Sequence, residues 1–163
     1  MTILFRRKQG GARVQHPLEP VQRTAVLAAG FAAERNVRVF PEGWSRGAER
    51  FRPAVIAGTL DRLLDAAAQG AKVSHALVVY TSDPGCRLTR QDRDRLWDAF
   101  GVPLFEQVLG ASGEVVAAEC EAHAGLHVVG EPGNLELDHG LCACGSEGPR
   151  LMVRKAMAKA AMA

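Results

Sequence analysis

"PAVIAGTLDRLLDAAAQGAKVSHALVVYTSDPGCRLTRQDRDRLWDAFGVPLFEQVLG" (residues 53–110) changes its hydrophobic pattern several times, and those changes set the expected fold. Val55, Ile56, Leu60, Leu63, Leu64 and Ala67 fall at helical spacing, and Gly70 can end such a helix. "HALVVYTS" (75–82) is a continuous, β-branched apolar run, the pattern of a strand buried on both faces of a parallel or mixed sheet. "DPG" turns the chain. Thr89 then stands where an N-cap would, with Asp92 three residues on as a capping-box variant. Leu96, Trp97 and Phe100 give the following helix its apolar side, Gly101 closes it, and "VPLFEQVL" reads as the next strand. The order helix, strand, helix, strand predicts an α/β layer.

On the N-terminal side, residues 1–17 are predicted to be a flexible basic arm, since "RRKQGGARVQHP" has no hydrophobic period. Val21, Val26, Leu27 and Phe31 recur at helical spacing and predict a helix over residues 20–35. "VRVF" (37–40) is a strand candidate, and "PEGWSRGAERFRP" reads as a loop anchored by Trp44 and Phe51. On the C-terminal side the pattern shifts after Gly110. "EVVAAEC", "GLHVVG" and "NLELD" are short β candidates broken by Gly and Pro. They predict a β-rich lobe over residues 115–150, after which residues 153–163 form a helical or disordered tail. The fold class expected is therefore α/β: a small helix-strand-helix-strand layer followed by a β-rich zinc-binding lobe, in one domain over 18–152.

Composition narrows the function. The chain has 163 residues, 47% hydrophobic and 23% charged, which suits one globular domain. With 20 Lys and Arg against 18 Asp and Glu, the net charge of +2 supplies no field to draw nucleic acid or an anionic membrane. No apolar run reaches the roughly 20 residues of a bilayer span, and "MTILFRRKQGGARVQ" lacks a signal-peptide core. A cytoplasmic location is expected. In a reducing compartment, clustered cysteines point to metal rather than disulfides.

Three of the four cysteines lie within residues 117–145. Cys120-x-x-His123 and Cys142-x-Cys144 make two ligand pairs, and Gly145 lets the chain turn while its amides approach the thiolates. Four such ligands close a tetrahedral structural zinc site with no position left for water. His127 and His139 are alternatives to His123. Cys86 stands alone, beside Arg87, which could lower its pKa.

The residues from 53 to 152 resemble the phenylacetate-CoA ligase-like branch of the adenylate-forming enzymes. The likeness rests on the helix ending "AFGVP", on "ECEAHAGLH" (119–127) and on "CACGSEGPRL" (142–151). In metal-binding members of that branch the cysteines and first histidine hold zinc, which implies Cys120, His123, Cys142 and Cys144 here. Other family features depart. No Ser/Thr/Gly-rich phosphate loop is found, "GNLELDHGLCACG" leaves no room for the ribose-binding Thr-Gly-Asp stretch, and the Tyr-Gly-x-Ser/Thr-Glu motif has become "VLGASGE", with Leu109 for the aromatic and Glu114 shifted by one. Lys155 and Lys159 lie in the tail and do not match the family's catalytic lysine.

The resemblance with these departures implies a zinc-stabilised, non-adenylating ligase-like protein that binds a small acyl or aryl ligand, a protein partner or a second copy. No independent ATP-dependent ligase activity is expected. Two other readings carry named residues. One is a subunit of an acyl- or aryl-CoA ligase completed by another chain, with Glu106, Glu114 and Glu119 as acids and His75 as a base. The other is a zinc-dependent nucleic-acid module using Arg150, Arg154, Lys155 and Lys159, which the small net charge and few aromatics disfavour. No catalytic residue is assigned.

Overall fold

The computed structural model describes residues 11–83, 86–131 and 133–152. Nine strands form one sheet in the order β2-β1-β3-β4-β5-β6-β7-β9-β8. Five strands on one side run parallel: β1 (Thr24–Val26), β2 (Val37–Val39), β3 (Val55–Gly58), β4 (Ala76–Thr81) and β5 (Leu104–Leu109). The remaining four, β6 (Val115–Glu119), β7 (Leu126–Val128), β8 (Leu137–Asp138) and β9 (Arg150–Leu151), are antiparallel. The mixed α/β class is as expected, and the pairing changes direction between β5 and β6.

Two helices cross over between parallel strands. Helix α2 (Leu60–Ala68) links β3 to β4, and α3 (Arg90–Phe100) links β4 to β5. Leu63 and Leu96, both 0% exposed, drive these helices onto Leu27, Ile56, Leu77, Val79 and Leu104 of one sheet face. The Thr89 hydroxyl accepts the Asp92 N–H at 3.1 Å while Asp92 Oδ2 accepts the Thr89 N–H, so the predicted capping box is complete. Gly101, at φ 64°, ends α3 as predicted.

The other face is covered differently. Val14 and Phe31 pack on Val26, Val55, Val78, Tyr80 and Phe105, and Phe31 stacks on Tyr80 at 4.8 Å between centroids. The Ala12 N–H donates to Gly30 O, and the Gln15 carbonyl accepts from Gln107 Nε2 at 2.8 Å. Residues 11–17 thus lie against the sheet, unlike the free arm expected there. Residues 1–10 of that arm and the tail 153–163, with Arg154, Lys155 and Lys159, lie outside the described residues.

Three elements differ from the sequence expectation. The predicted helix over 20–35 is strand β1 with flanking turns, because Thr24, Ala25 and Val26 are buried on both sides and pair with β2 and β3. The helix expected from Pro53 onward is a strand first: Val55–Gly58 is wholly buried, and Thr59 marks the true helix start. The loop around Trp44 contains a short helix, α1 (Arg46–Phe51), whose Ser45 hydroxyl accepts the Ala48 N–H. Among the described residues no helix is long and apolar enough to cross a membrane.

Candidate metal centre

The hairpin β6–β7 builds half of the centre. Ala118 pairs with His127 across it. Side chains alternate along a strand, so Cys120, two residues beyond Ala118, lies on the same face as His127 and one diagonal step away. The other half is a tight turn. Gly145, at φ 84°, sends its N–H to the Cys142 carbonyl at 2.9 Å, and the Cys142 N–H reaches Ser146 O at 3.2 Å. That turn points Cys142 and Cys144 at the hairpin.

The donor atoms of Cys120, His127, Cys142 and Cys144 all lie within 4.8 Å of one another. Cys120 Sγ is 3.7 Å from Cys142 Sγ, and Cys144 Sγ is 3.5 Å from His127 Nε2. A disulfide would need about 2.05 Å between sulfurs, and all four cysteines are free. Three thiols and an imidazole gathered this closely form a group able to hold a metal ion.

The structure therefore brings together three of the four expected residues and puts His127 in the fourth place. His123 sits in the hairpin turn at φ 50°, its Nδ1 3.1 Å from Glu119 Oε1 and its ring stacked on Phe105 at 5.0 Å. His139 is exposed in its loop and outside the group.

Electrostatics prepare the group for a cation. The Cys144 backbone N–H, with help from His127 and the neighbouring thiols, pulls the Cys142 thiol down from 9.0 to about 6. Cys144 stays above its ordinary value: the Ser146 N–H lowers it, but the neighbouring Cys142 and Cys120 sulfurs outweigh that. Cys142 thus binds its proton more weakly in the fold than in an open chain. Its contribution to stability is complete above about pH 9 and lost as pH falls through about 6. Metal ligation moves the same way, since each ligand must lose its proton. Bound metal and the melting temperature should fall together on titration from about pH 8 to about pH 5, measured by dialysis with elemental analysis and by thermal unfolding.

A second cluster lies beside the first. Glu106 (0% exposed) and Glu119 (6%) share Arg93 Nη2 at 3.3 and 3.1 Å. Glu106 also takes Arg87 Nε at 3.0 Å and the Leu88 N–H, and Glu119 takes the Glu106 N–H at 2.8 Å. The network pins the metal hairpin to β5 and α3. Both candidate acids are thus committed to ion pairs and backbone donors, while Glu114 is exposed. His75 lies just before β4, with its N–H on the Ala54 carbonyl. Arg150 is joined to Asp138 and the Ala124 carbonyl. Cys86 is exposed, and a hydrogen bond to Asp83 together with that carboxylate's charge raises its pKa, opposite to the lowering its neighbour Arg87 suggested.

No protein-family model matches the sequence, and no curated protein matches it. Among solved structures the chain is similar to 2-hydroxyisobutyryl-CoA ligase, in an open conformation in complex with 2-HIB-AMP and CoA. The TM-score is 0.52 at 15% identity, and the match covers 79% of this chain and 46% of the ligase. The chain thus spans under half of that protein's length. The likeness is one of fold: a distant ligase-like α/β architecture.

Proposed function

We propose that the chain is a zinc-stabilised protein of ligase-like fold that does not adenylate a substrate by itself and binds a small acyl or aryl ligand or a protein partner. The observation that carries this reading is the spacing of the four donors. A tetrahedral zinc about 2.3 Å from sulfur and about 2.0–2.1 Å from nitrogen requires S···S edges of about 3.8 Å and S···N edges of about 3.6 Å. Cys120 Sγ and Cys142 Sγ stand at 3.7 Å, Cys144 Sγ and His127 Nε2 at 3.5 Å, and all four donors lie within 4.8 Å of one another. The proposed ligands are Cys120, His127, Cys142 and Cys144. All four come from the protein, so the ion's role is structural.

Membership of the phenylacetate-CoA ligase-like branch is part of this reading, supported by "ECEAHAGLH" and "CACGSEGPRL". Adenylation needs several donors around the phosphates and an acid to position a metal. The three acids singled out from the sequence offer little for it: Glu106 and Glu119 are tied to arginines, and Glu114 sits at the surface.

The test has two parts on reduced, freshly purified chain. Elemental analysis should give one zinc per chain. ATP–pyrophosphate exchange with short acyl and aryl acids should give no signal. A zinc-free chain removes the metal half of the proposal, and robust exchange by the chain alone removes the other half.

A further inference from the structure

A cavity of about 580 Å³ opens where α1 and α2 end and the chain enters β3 and β4. Its size falls in the range of small-molecule sites, about 300–1,000 Å³. It lies at the amino ends of the parallel strands, whereas ligands of open α/β sheets usually sit at the carboxyl ends, and the metal centre lies on β6–β9 and their connections. We propose that this cavity binds a phosphate monoester carried on a planar ring.

The lining supplies both halves of such a ligand. Half-buried Trp44 and Val73 give the lining its apolar surface, against which a flat ring can stack, while Pro53 is buried behind them. Arg52, Lys72 and the Ser74 hydroxyl supply donors for the three terminal oxygens of a phosphate monoester. Among the described residues neither Arg52 nor Lys72 has an ion-pair partner. Nor are they needed to cap the helix above them. The last carbonyls of α2, at Asp65, Ala66 and Ala67, already accept N–H groups from Gln69, Gly70 and Ala71. Glu49 is the one carboxylate on the lining, against the two cations.

Arg52 adds a separate observation. It stands at φ 50° and ψ 60°, the left-handed region in which glycine is at ease and an arginine is not. A cation is held at this lip despite a backbone that favours glycine. The same fact gives a clean test, because Arg52→Gly removes the charge while relaxing the chain.

The probe is phenyl phosphate, titrated calorimetrically into the zinc-loaded full chain and followed through Trp44 fluorescence in a Trp97→Phe background. Phenyl phosphate should bind more tightly than either inorganic phosphate or phenol. Arg52→Gly should weaken it by about tenfold or more with an unchanged or higher melting temperature, and Lys72→Gln should act in the same direction. Running a nucleoside monophosphate beside phenyl phosphate separates the two sources of this chemistry: tighter binding assigns a nucleotide, weaker binding a small aryl ester. No heat or fluorescence change with either ester, or binding by Arg52→Gly equal to the parent, overturns the proposal.

Discussion

Cys142→Ser is expected to lower the zinc proposed for this centre from one per chain to a minor fraction and to loosen the segment from β7 to β9. Serine keeps the size of the side chain but not the acidity. The Cys142 thiol is drawn down to about 6 and is therefore mostly thiolate at neutral pH, whereas a serine hydroxyl stays protonated. Apparent zinc binding in small structural sites is worth about 10–16 kcal/mol. Divided over four ligands, one ligand accounts for about 2.5–4 kcal/mol, or about 10²–10³ in affinity.

The lobe has little else to stand on. Strands β8 and β9 are two residues long, well below the usual five or six. Its core is small: Val108, Val116, Ala117, Leu126 and Leu151. Hydrogen exchange should therefore accelerate over residues 126–151 while α2 and α3 keep their protection. Cys86→Ser, on an exposed residue away from the centre, should leave zinc content and exchange unchanged. A Cys142→Ser chain that holds one zinc and melts with the parent shows that the ligand set is wrong.

The parts of the fold legible in the sequence were those with local signals. Helix α3 announces itself through Thr89, Asp92 and Gly101, each of which makes its bond within the element or at its end. Strand β4 is six residues long, five of them an unbroken buried run before Thr81. β1 and β3 carry no such mark. A parallel strand buried on both faces has no alternation, and its apolar residues fit a helical period as well as an extended one. So Val55 and Ile56 merge into the α2 pattern although they belong to β3. What separates them is Thr59, an N-cap position lying inside the apparent helix.

The candidate metal centre divides along the same line. The two cysteine-bearing segments are visible as spacing. The choice between His123 and His127 depends on which residue of β6 faces which residue of β7, a matter of register that short strands do not fix locally. Once Ala118 is opposite His127, Cys120 and His127 share a face and His123 is left to the turn. The Glu106 cluster had one sequence signal, an acid set among the apolar residues of the strand "VPLFEQVL". Such a group needs a partner. Nothing local names it, because Arg93 comes from a helix and Glu119 from the next strand.

That cluster sets the second large effect. Arg93→Met is expected to destabilise the protein by about 3–5 kcal/mol, the usual result of leaving a buried carboxylate without its partner, since the Arg93 side chain is 28% exposed but those of Glu106 and Glu119 are 0% and 3%. Methionine covers much of the stem's apolar area, so the loss measures charge and hydrogen bonding rather than a cavity. Glu106 keeps Arg87, but Glu119, whose side chain is 3% exposed, loses its guanidinium and retains the Glu106 N–H and His123. At about 2–4 °C per kcal/mol for a chain of this size, the melting temperature should drop by about 6–20 °C. Arg90→Ala provides the contrast. Its pair with Asp94 stretches to 4.0 Å, with side chains 95% and 69% exposed, and such surface pairs contribute close to nothing. The double variant Arg93→Met/Glu119→Gln should lose less than the sum of the single changes, since the two groups act on each other. Glu119 is next to Cys120 in the chain, so Arg93→Met should also weaken zinc retention by misplacing the hairpin, although Arg93 is not a ligand. An Arg93→Met protein that melts within a degree or two of the parent would mean that the β5–β6 backbone ladder and packing hold the hairpin without the ion pairs.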